Sequence, residues 1–412
     1  MSSMRGKSRV SFGYKQVNRR GNSLKSTPKE FLNYPDEQYI DFSQQINKKR
    51  LRDRSYSPKP NKQKKFKQDN NYNNNHNSCS SSNDFQKLNN ELLNHYATAK
   101  QLESTFTMKW KLCEDIFSMF VGIVPHLGVY LVGSSANGFA TEDTDADICI
   151  VISSYPIDQK REAVKFLEMV RRALRKKIFA GGCDLIRARV PILRFTDYAT
   201  RLKCDVNINN VTGIRNTDLL RFYSETDSRV APLVLTLKSW AKFHNINDAS
   251  QKTLSSYSIT LMCLFYLQAI AQPPVVPVWQ ALLPDRFDVN IPVSQLKRND
   301  EPNLIWRSEN QQTVAELFIG FLRYYAKNFR FEKHAISIRT GRLIDKSDFL
   351  DHDVTNYGDA LLAIEEPFDL SNTARSVYDD DEFERIVRVF RRSYYTIDKT
   401  NSFSSILMEQ FE

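Results

Sequence analysis

The 412-residue chain lacks the features that mark a membrane span, an oxidising compartment or the common phosphate-loop folds. Its longest apolar run, Ile259–Ala271, is interrupted by Gln268 and is too short to cross a bilayer. The first residues are polar and basic without an apolar segment, so no secretory leader is expected and the protein reads as soluble and intracellular. Six cysteines (Cys79, Cys113, Cys149, Cys183, Cys204, Cys263) form no CxxC pair and no zinc-finger spacing. Cys149 and Cys263 lie in apolar runs, where a thiol acts as a small hydrophobe, and a reduced setting is expected. There is no Gly-Lys-Ser/Thr, no GxGxxG and no GxSxG. Asp143, Asp145 and Asp147 have the spacing of the first three EF-hand ligands. The glycine needed at Ile148 and the glutamate needed at Ser154 are absent, which excludes that loop. No internal repeat, RRM, KH motif or zinc finger is present.

What is present suffices for about two to three domains with a packed core, at 41% hydrophobic and 12% aromatic residues. The net charge of +10 is unevenly placed. Residues 1–80 hold 18 Lys and Arg against 6 Asp and Glu, whereas the other 332 hold 40 against 42. Residues 1–82 are rich in Asn, Ser, Lys and Arg, with a low-complexity run over Asn70–Ser82. Such a segment cannot bury enough surface to offset its ordering entropy, so disorder is expected. Its clusters at Lys48–Arg52 and Lys62–Lys67 fit a nuclear import signal, an RNA-phosphate patch or a solvated linker, and the sequence leaves all three open.

The stretch Val129–Ser153 reads as strand, glycine turn, short helix, acidic loop and strand. Ser134 and Ser135 after Gly133 suit a helix start, where hydroxyls cap free N–H groups and an anion is welcome. Asp145 and Asp147 introduce the second apolar run, and residues two apart on a strand share a face. Paired carboxylates beside a phosphate-sized cradle suit a divalent cation and a nucleoside triphosphate; surface acids at a strand start are the plainer alternative. Strands are expected over Ala188–Phe195 and Leu202–Ile208. In the second, Cys204, Val206 and Ile208 face inward and Asp205 lies on the polar face, as a third carboxylate or an ordinary exposed one.

Apolar spacing predicts helices from Phe85, over Gln159–Lys177 (ended by Gly181-Gly182), Arg229–His244, Thr253–Ala271, Thr313–Phe329 and Glu382–Tyr395. Lys238 and Lys242 stand four apart on one helix face. Their mild repulsion would be relieved by a triphosphate, although exposed lysines so spaced are common.

In order, Gly133-Ser134-Ser135, Asn137-Gly138-Phe139, Asp145-Ala146-Asp147, Asp205, Gly213–Thr217, Lys238–Lys242, Leu254–Tyr257 and the late Glu365–Val377 segment resemble the cytoplasmic poly(A) polymerase and terminal uridylyltransferase family. That family belongs to the DNA-polymerase-β-like nucleotidyltransferases. The resemblance covers residues 85–400 and implies an α+β fold: a polymerase-β-like palm of mixed sheet and flanking helices over 112–214, and a mostly helical central domain over 215–412. The central domain would be joined by an N-terminal helix, 83–111. It implies that Asp145, Asp147 and Asp205 are the catalytic residues and hold Mg²⁺ or Mn²⁺. Gly133 and Ser134 would meet the phosphates, Asn216 and Thr217 the ribose, and Lys238, Lys242 and Ser256 the phosphates again. Tyr257 would stack on the base, and Glu366, Asp369 and Arg375 would line its pocket. Uridylyltransferases of the family carry a histidine just before the asparagine of the late motif, whereas here Ser371 precedes Asn372 directly. That favours ATP as substrate over UTP. The implied activity is addition of AMP to the 3′ end of RNA, mRNA included, by a catalytic monomer in the cytoplasm, with the nucleus open as a second compartment. A body close to neutral lacks the charge of a self-sufficient RNA binder, so an RNA-binding protein partner is expected to choose targets.

Overall fold

A computed structural model of the chain describes residues 82–153, 156–177, 182–296, 302–349 and 357–408. The basic tail, its two clusters and Gly181 lie outside the described residues. The elements run α1 (Ser82–Ala99), α2 (Glu103–Phe120), β1 (Gly128–Val132), α3 (Ser134–Asn137), β2 (Ala146–Val151), α4 (Val164–Lys177), β3 (Cys183–Ile186), β4 (Ile192–Thr196) and β5 (Lys203–Ile208). They continue with α5 (Val211–Thr226), α6 (Val230–Phe243), α7 (Ser256–Phe265), α8 (Trp279–Leu282), α9 (Pro302–Ile305), α10 (Val314–Arg323), β6 (His334–Ser337), β7 (Arg342–Asp345), β8 (Ala363–Ile364) and α11 (Asp380–Thr400).

The first half is a five-stranded sheet in the order β1-β2-β5-β4-β3, in which only the β2–β5 pair is parallel. On one face α2 and α4 bury Leu112, Ile116, Phe120, Leu167, Val170 and Leu174 against Leu131, Ile148, Ile150, Leu193, Val206 and Ile208. The other face meets the start of α5 through Ile214, which packs on Val132, Cys149 and Val151. The second core is helical: Leu233, Val234, Leu237 and Trp240 of α6 pack with α7, α10 and α11, closed by Leu88 and Leu92 of α1. Capping follows local chemistry. Asp379 starts α11 by accepting from Glu382 N–H, and Thr313 with Glu316 forms a reciprocal capping box on α10.

Several expectations are corrected here. The helix expected over 83–111 is two, because the chain breaks at Lys100–Leu102. α1 joins the helical core while α2 joins the sheet. The boundary expected at 214/215 falls inside α5, one continuous helix that serves both cores. An additional strand, Cys183–Ile186, pairs with β4, which begins only at Ile192. The helical half carries a three-stranded sheet, β7-β6-β8, that the helical periodicity gave no hint of.

Candidate active site

The parallel pairing of β2 and β5 sets Asp147 directly opposite Asp205, and Asp145 stands two residues before Asp147 at the mouth of β2. The three expected carboxylates therefore come from adjacent strands at one sheet end. Burial pushes the Asp147 carboxyl up to about 7, and repulsion from Asp205 and Asp145 adds to it; Lys109 and Arg194 oppose the shift. Arg194, opposite Asp205 on β4, donates from Nε at 2.8 Å and from Nη2 at 2.6 Å to the two oxygens of Asp205. Among the described residues no three His, Cys, Asp or Glu side chains stand together closely enough to hold a metal ion. Both oxygens of Asp205 are committed to the guanidinium. In chemistry the donor set fits a hard divalent cation, which takes carboxylate oxygens and would relieve the repulsion that raises Asp147.

Gly133 joins β1 to the site with φ 68°, a left-handed value that favours glycine. A Cβ there would lie 2.5 Å from Oδ2 of Asp147, so the turn and the carboxylate are packed against one another. The Gly133 N–H donates to Thr217 Oγ1 at 2.9 Å, and that hydroxyl donates in turn to Gly213 O at 2.7 Å. Thr217, expected at the ribose, is thus engaged in holding the turn. The serines do not cap the helix as expected. α3 is a single turn with Gly133 at its N-cap and no side-chain cap, and Ser135 is buried and directed away from the ligand space.

A cleft of about 1610 Å³ unites the two halves. The sheet side contributes Gly133, Ser134, Asp145 and Asp147; the helical side contributes Lys238, Lys242, Ser256 and Tyr257. Lys238 donates to Phe139 O at 2.7 Å, and burial lowers its pKa to about 8. Lys242 pairs with Asp143 at 3.2 Å, with side chains 75% and 70% exposed, a contact that costs little to exchange. Ser256 heads α7, its hydroxyl on Asn247 Oδ1 at 3.0 Å. The Tyr257 hydroxyl donates to Glu366 Oε1 at 3.3 Å.

Glu366 organises the late loop. Its Oε2 accepts from Phe368 N–H at 2.7 Å and from Asp369 N–H, and the Asn216 side chain also bonds to it. Burial raises its carboxyl. Burial opposes ionisation of Asp369 as well, but bonds from Ser371 and Glu366 and the Arg189 cation outweigh it and hold that carboxyl low. The Asn216 Oδ1 is buried without a hydrogen-bond partner in the protein. Asn372 is structural: Oδ1 accepts from Ile364 and Ala374 N–H groups at 3.1 and 2.9 Å, and Nδ2 donates to Leu362 O at 2.9 Å. Arg375 is exposed and donates to Asn372 O at 3.3 Å, and it does not line the cleft. The sequence reading missed Arg194, Arg189 and Lys109. Period-two alternation puts Arg194 on a polar face, but only strand register reveals its partner.

Known proteins resemble this chain over most of its length. Residues 88–225 match the family described as "Poly(A) RNA polymerase, mitochondrial-like, central palm domain", and 313–372 match "Cid1 family poly A polymerase". The chain is 39% identical over 337 residues to the Drosophila melanogaster Poly(A) RNA polymerase gld-2 homolog A, covering 79% of this chain and 24% of that one. It is 39% identical over 325 residues to Danio rerio Poly(A) RNA polymerase GLD2, covering 78% and 64%. The chain thus spans about a quarter of the first relative and just under two thirds of the second. Among solved structures, that of the GLD-2/RNP-8 complex superposes with a TM-score of 0.71 at 33% identity, covering 79% of this chain and 98% of that one. The Cid1 poly(U) polymerase with Mg and 3′-dATP superposes with a TM-score of 0.65 at 26% identity, covering 79% and 99%.

Proposed function

This chain belongs to the Cid1-type family of poly(A) polymerases that includes GLD-2, and we propose that it transfers AMP from ATP to the 3′-hydroxyl of RNA without a template. The observation that carries the proposal is one cleft lined by Asp145 and Asp147 on the sheet side and by Lys238, Lys242 and Tyr257 on the helical side. The RNA 3′-oxygen bonds to the α-phosphorus, the bond to the β-phosphate oxygen breaks, pyrophosphate leaves and the hydroxyl proton passes to solvent. Asp145, Asp147 and Asp205 would hold Mg²⁺ or Mn²⁺, which when bound supplies positive charge to the phosphates and acidifies the attacking hydroxyl. Lys238 and Lys242 bring cations to the side where the triphosphate charge accumulates. Lys242 reaches it by leaving Asp143, at a cost of about 1 kcal/mol or less for so exposed a pair. Tyr257 offers an aromatic face for the base, fixed by its bond to Glu366.

ATP is the favoured nucleotide. No histidine occurs in Glu365–Val377, and Ser371 is bound to Asp369 through both its N–H (2.9 Å) and its hydroxyl (2.6 Å). In support, a Cid1 structure, from work on that enzyme's UTP selectivity, is of a histidine-to-asparagine mutant bound to MgATP. A protein partner is supported by the complexes of GLD-2 with RNP-8 and with GLD-3, and the proposal assigns to it RNA binding and the choice of targets. Action in the cytoplasm is part of the same proposal. Extension of a labelled RNA oligomer with each of the four nucleoside triphosphates and Mg²⁺ tests it. Elongation with ATP and none by Asp147→Ala is expected; UTP incorporation equal to that of ATP overturns the nucleotide assignment.

A further inference from the structure

Lys109 is fully buried, with 0% exposure, on the sheet-facing side of α2. Each proton of its ammonium has an acceptor, and none of these is a carboxylate: Thr144 O at 2.6 Å, Gln101 Oε1 at 2.7 Å and Ser135 Oγ at 3.0 Å. A buried cation without a bonded counter-ion is costly, so its place in a packed core calls for a reason. The reason lies in what the acceptors belong to. Ser135 Oγ passes the connection on by donating to Asp145 O at 3.1 Å, and Gln101 Nε2 returns to Ser135 O at 3.2 Å. One turn earlier on the same face, Thr105 Oγ1 donates to Glu142, whose carboxylate also takes the Leu102 N–H at 2.7 Å. α2 therefore grips the loop Thr141–Thr144 at two points and ties the glycine-serine turn to the backbone of Asp145. The charges that balance the ammonium through space are Asp147, Glu142 and Asp145.

We propose that Lys109 is a positioning residue that sets Asp145 and Asp147 against the Gly133–Ser135 turn before nucleotide or metal arrives. It touches no substrate; it acts through Ser135 and Thr144. The inference rests on the reading of the cleft as a nucleotidyltransferase site. Carboxylates that must be placed within about half an ångström depend on such support, and a displacement of about 1 Å costs on the order of 100-fold in rate.

The test compares the full chain with Lys109→Met and Ser135→Ala, each assayed below its melting temperature. Readouts are RNA extension with ATP, split into kcat and KM, and Mn²⁺ affinity of the free chain by electron paramagnetic resonance. Lys109→Met is expected to lose roughly 10- to 100-fold in kcat, to change KM for ATP by less than about threefold, and to bind Mn²⁺ about tenfold more weakly. Ser135→Ala removes the relay to Asp145 and one of the three acceptors of the ammonium, leaving the cation itself in place, and is expected to show the same pattern at smaller size. If Lys109→Met does not fold, Ser135→Ala decides alone. A wild-type chain that extends RNA and binds Mn²⁺, with a folded variant unchanged in both kcat and Mn²⁺ affinity, overturns the positioning role alone. A wild-type chain that does neither overturns the positioning role together with the reading of the cleft.

Discussion

Arg194 grips Asp205 across the β4–β5 pair, through Nε at 2.8 Å and Nη2 at 2.6 Å, so the third carboxylate is held by a cation of the protein's own. The arginine side chain is 53% exposed and Asp205 14%, which limits the pair to about 1 kcal/mol or less. A divalent ion has to compete with that guanidinium. Arg194→Gln should therefore bind Mn²⁺ about two- to fivefold more tightly in the free chain, with folding stability altered by less than about 1 kcal/mol. Resonance titration and chemical denaturation measure both, and weaker Mn²⁺ binding in the variant would show that Arg194 orients Asp205 more than it competes.

Asp147 carries the cost of the site. Its carboxyl, ordinarily near 3.8, is pushed up to about 7, first by burial and then by Asp205 and Asp145. A carboxyl whose folded pKa is raised binds its proton more tightly when folded. Stability is thus gained as pH falls from about 7 toward 3.8, and the ionised group costs the full amount above 7. Asp147→Asn should melt higher than wild type at pH 8 without metal, and the advantage should shrink as pH is lowered through 7 toward 4. RNA extension should fall by about a thousandfold or more. Equal melting temperatures at pH 8 would mean that the carboxylate is already compensated.

Gly133→Ala tests the packing of the turn on that carboxylate. The new methyl group meets Asp147 Oδ2 at 2.5 Å in a backbone with φ 68°, so either the turn or the aspartate has to move. Loss of about 100-fold in kcat is expected, along with destabilisation of about 1–2 kcal/mol. Wild-type kcat in a folded Gly133→Ala chain would show that the turn has slack the structure does not suggest.

How far the sequence disclosed this site follows from the range of each interaction. The Asp145–Asp147 spacing, the alternation around Asp205 and the glycine turn are local, and local periodicity places them on or at the ends of the right strands. Helical spacing pairs Lys238 with Lys242, but Ser256 and Tyr257 come from motif resemblance alone, and nothing local says that two helices face the palm across a cleft. Arg194 was invisible because its partner is set by sheet register, and Lys109 because a lysine on an apolar helix face looks like the edge of a stripe. Thr217 and Arg375 fit the motif, yet their bonds in the fold are to Gly133 and Asn372. A motif fixes identity and order, and not which neighbour a hydroxyl finds.

Asn372 offers a probe of the late loop. Its side chain makes three backbone bonds, to Ile364, Ala374 and Leu362, and is buried. Asn372→Ala leaves two N–H groups and a carbonyl without partners, a loss of about 2–4 kcal/mol. Because the loop carries Glu366 and Asp369, KM for ATP should rise severalfold more than kcat falls, and discrimination between ATP and UTP should narrow. Denaturant titration and paired nucleotide kinetics check the two halves of that statement independently.

The tail's role is decided by salt. Residues 1–80 hold 18 cationic and 6 anionic side chains, whereas the rest of the chain is close to balanced. If the tail contacts RNA phosphates, each contact contributes roughly 0.7 to the slope of log affinity against log salt for a single strand. Deleting 1–80 should then flatten the slope by about two or more while kcat at saturating RNA stays unchanged, because every cleft residue lies downstream of the deletion. The two clusters need not act alike: removing Lys62–Lys67 alone should account for part of the change if both lie on the strand. An unchanged slope assigns the tail to transport or tethering, and leaves RNA retention to the proposed partner protein.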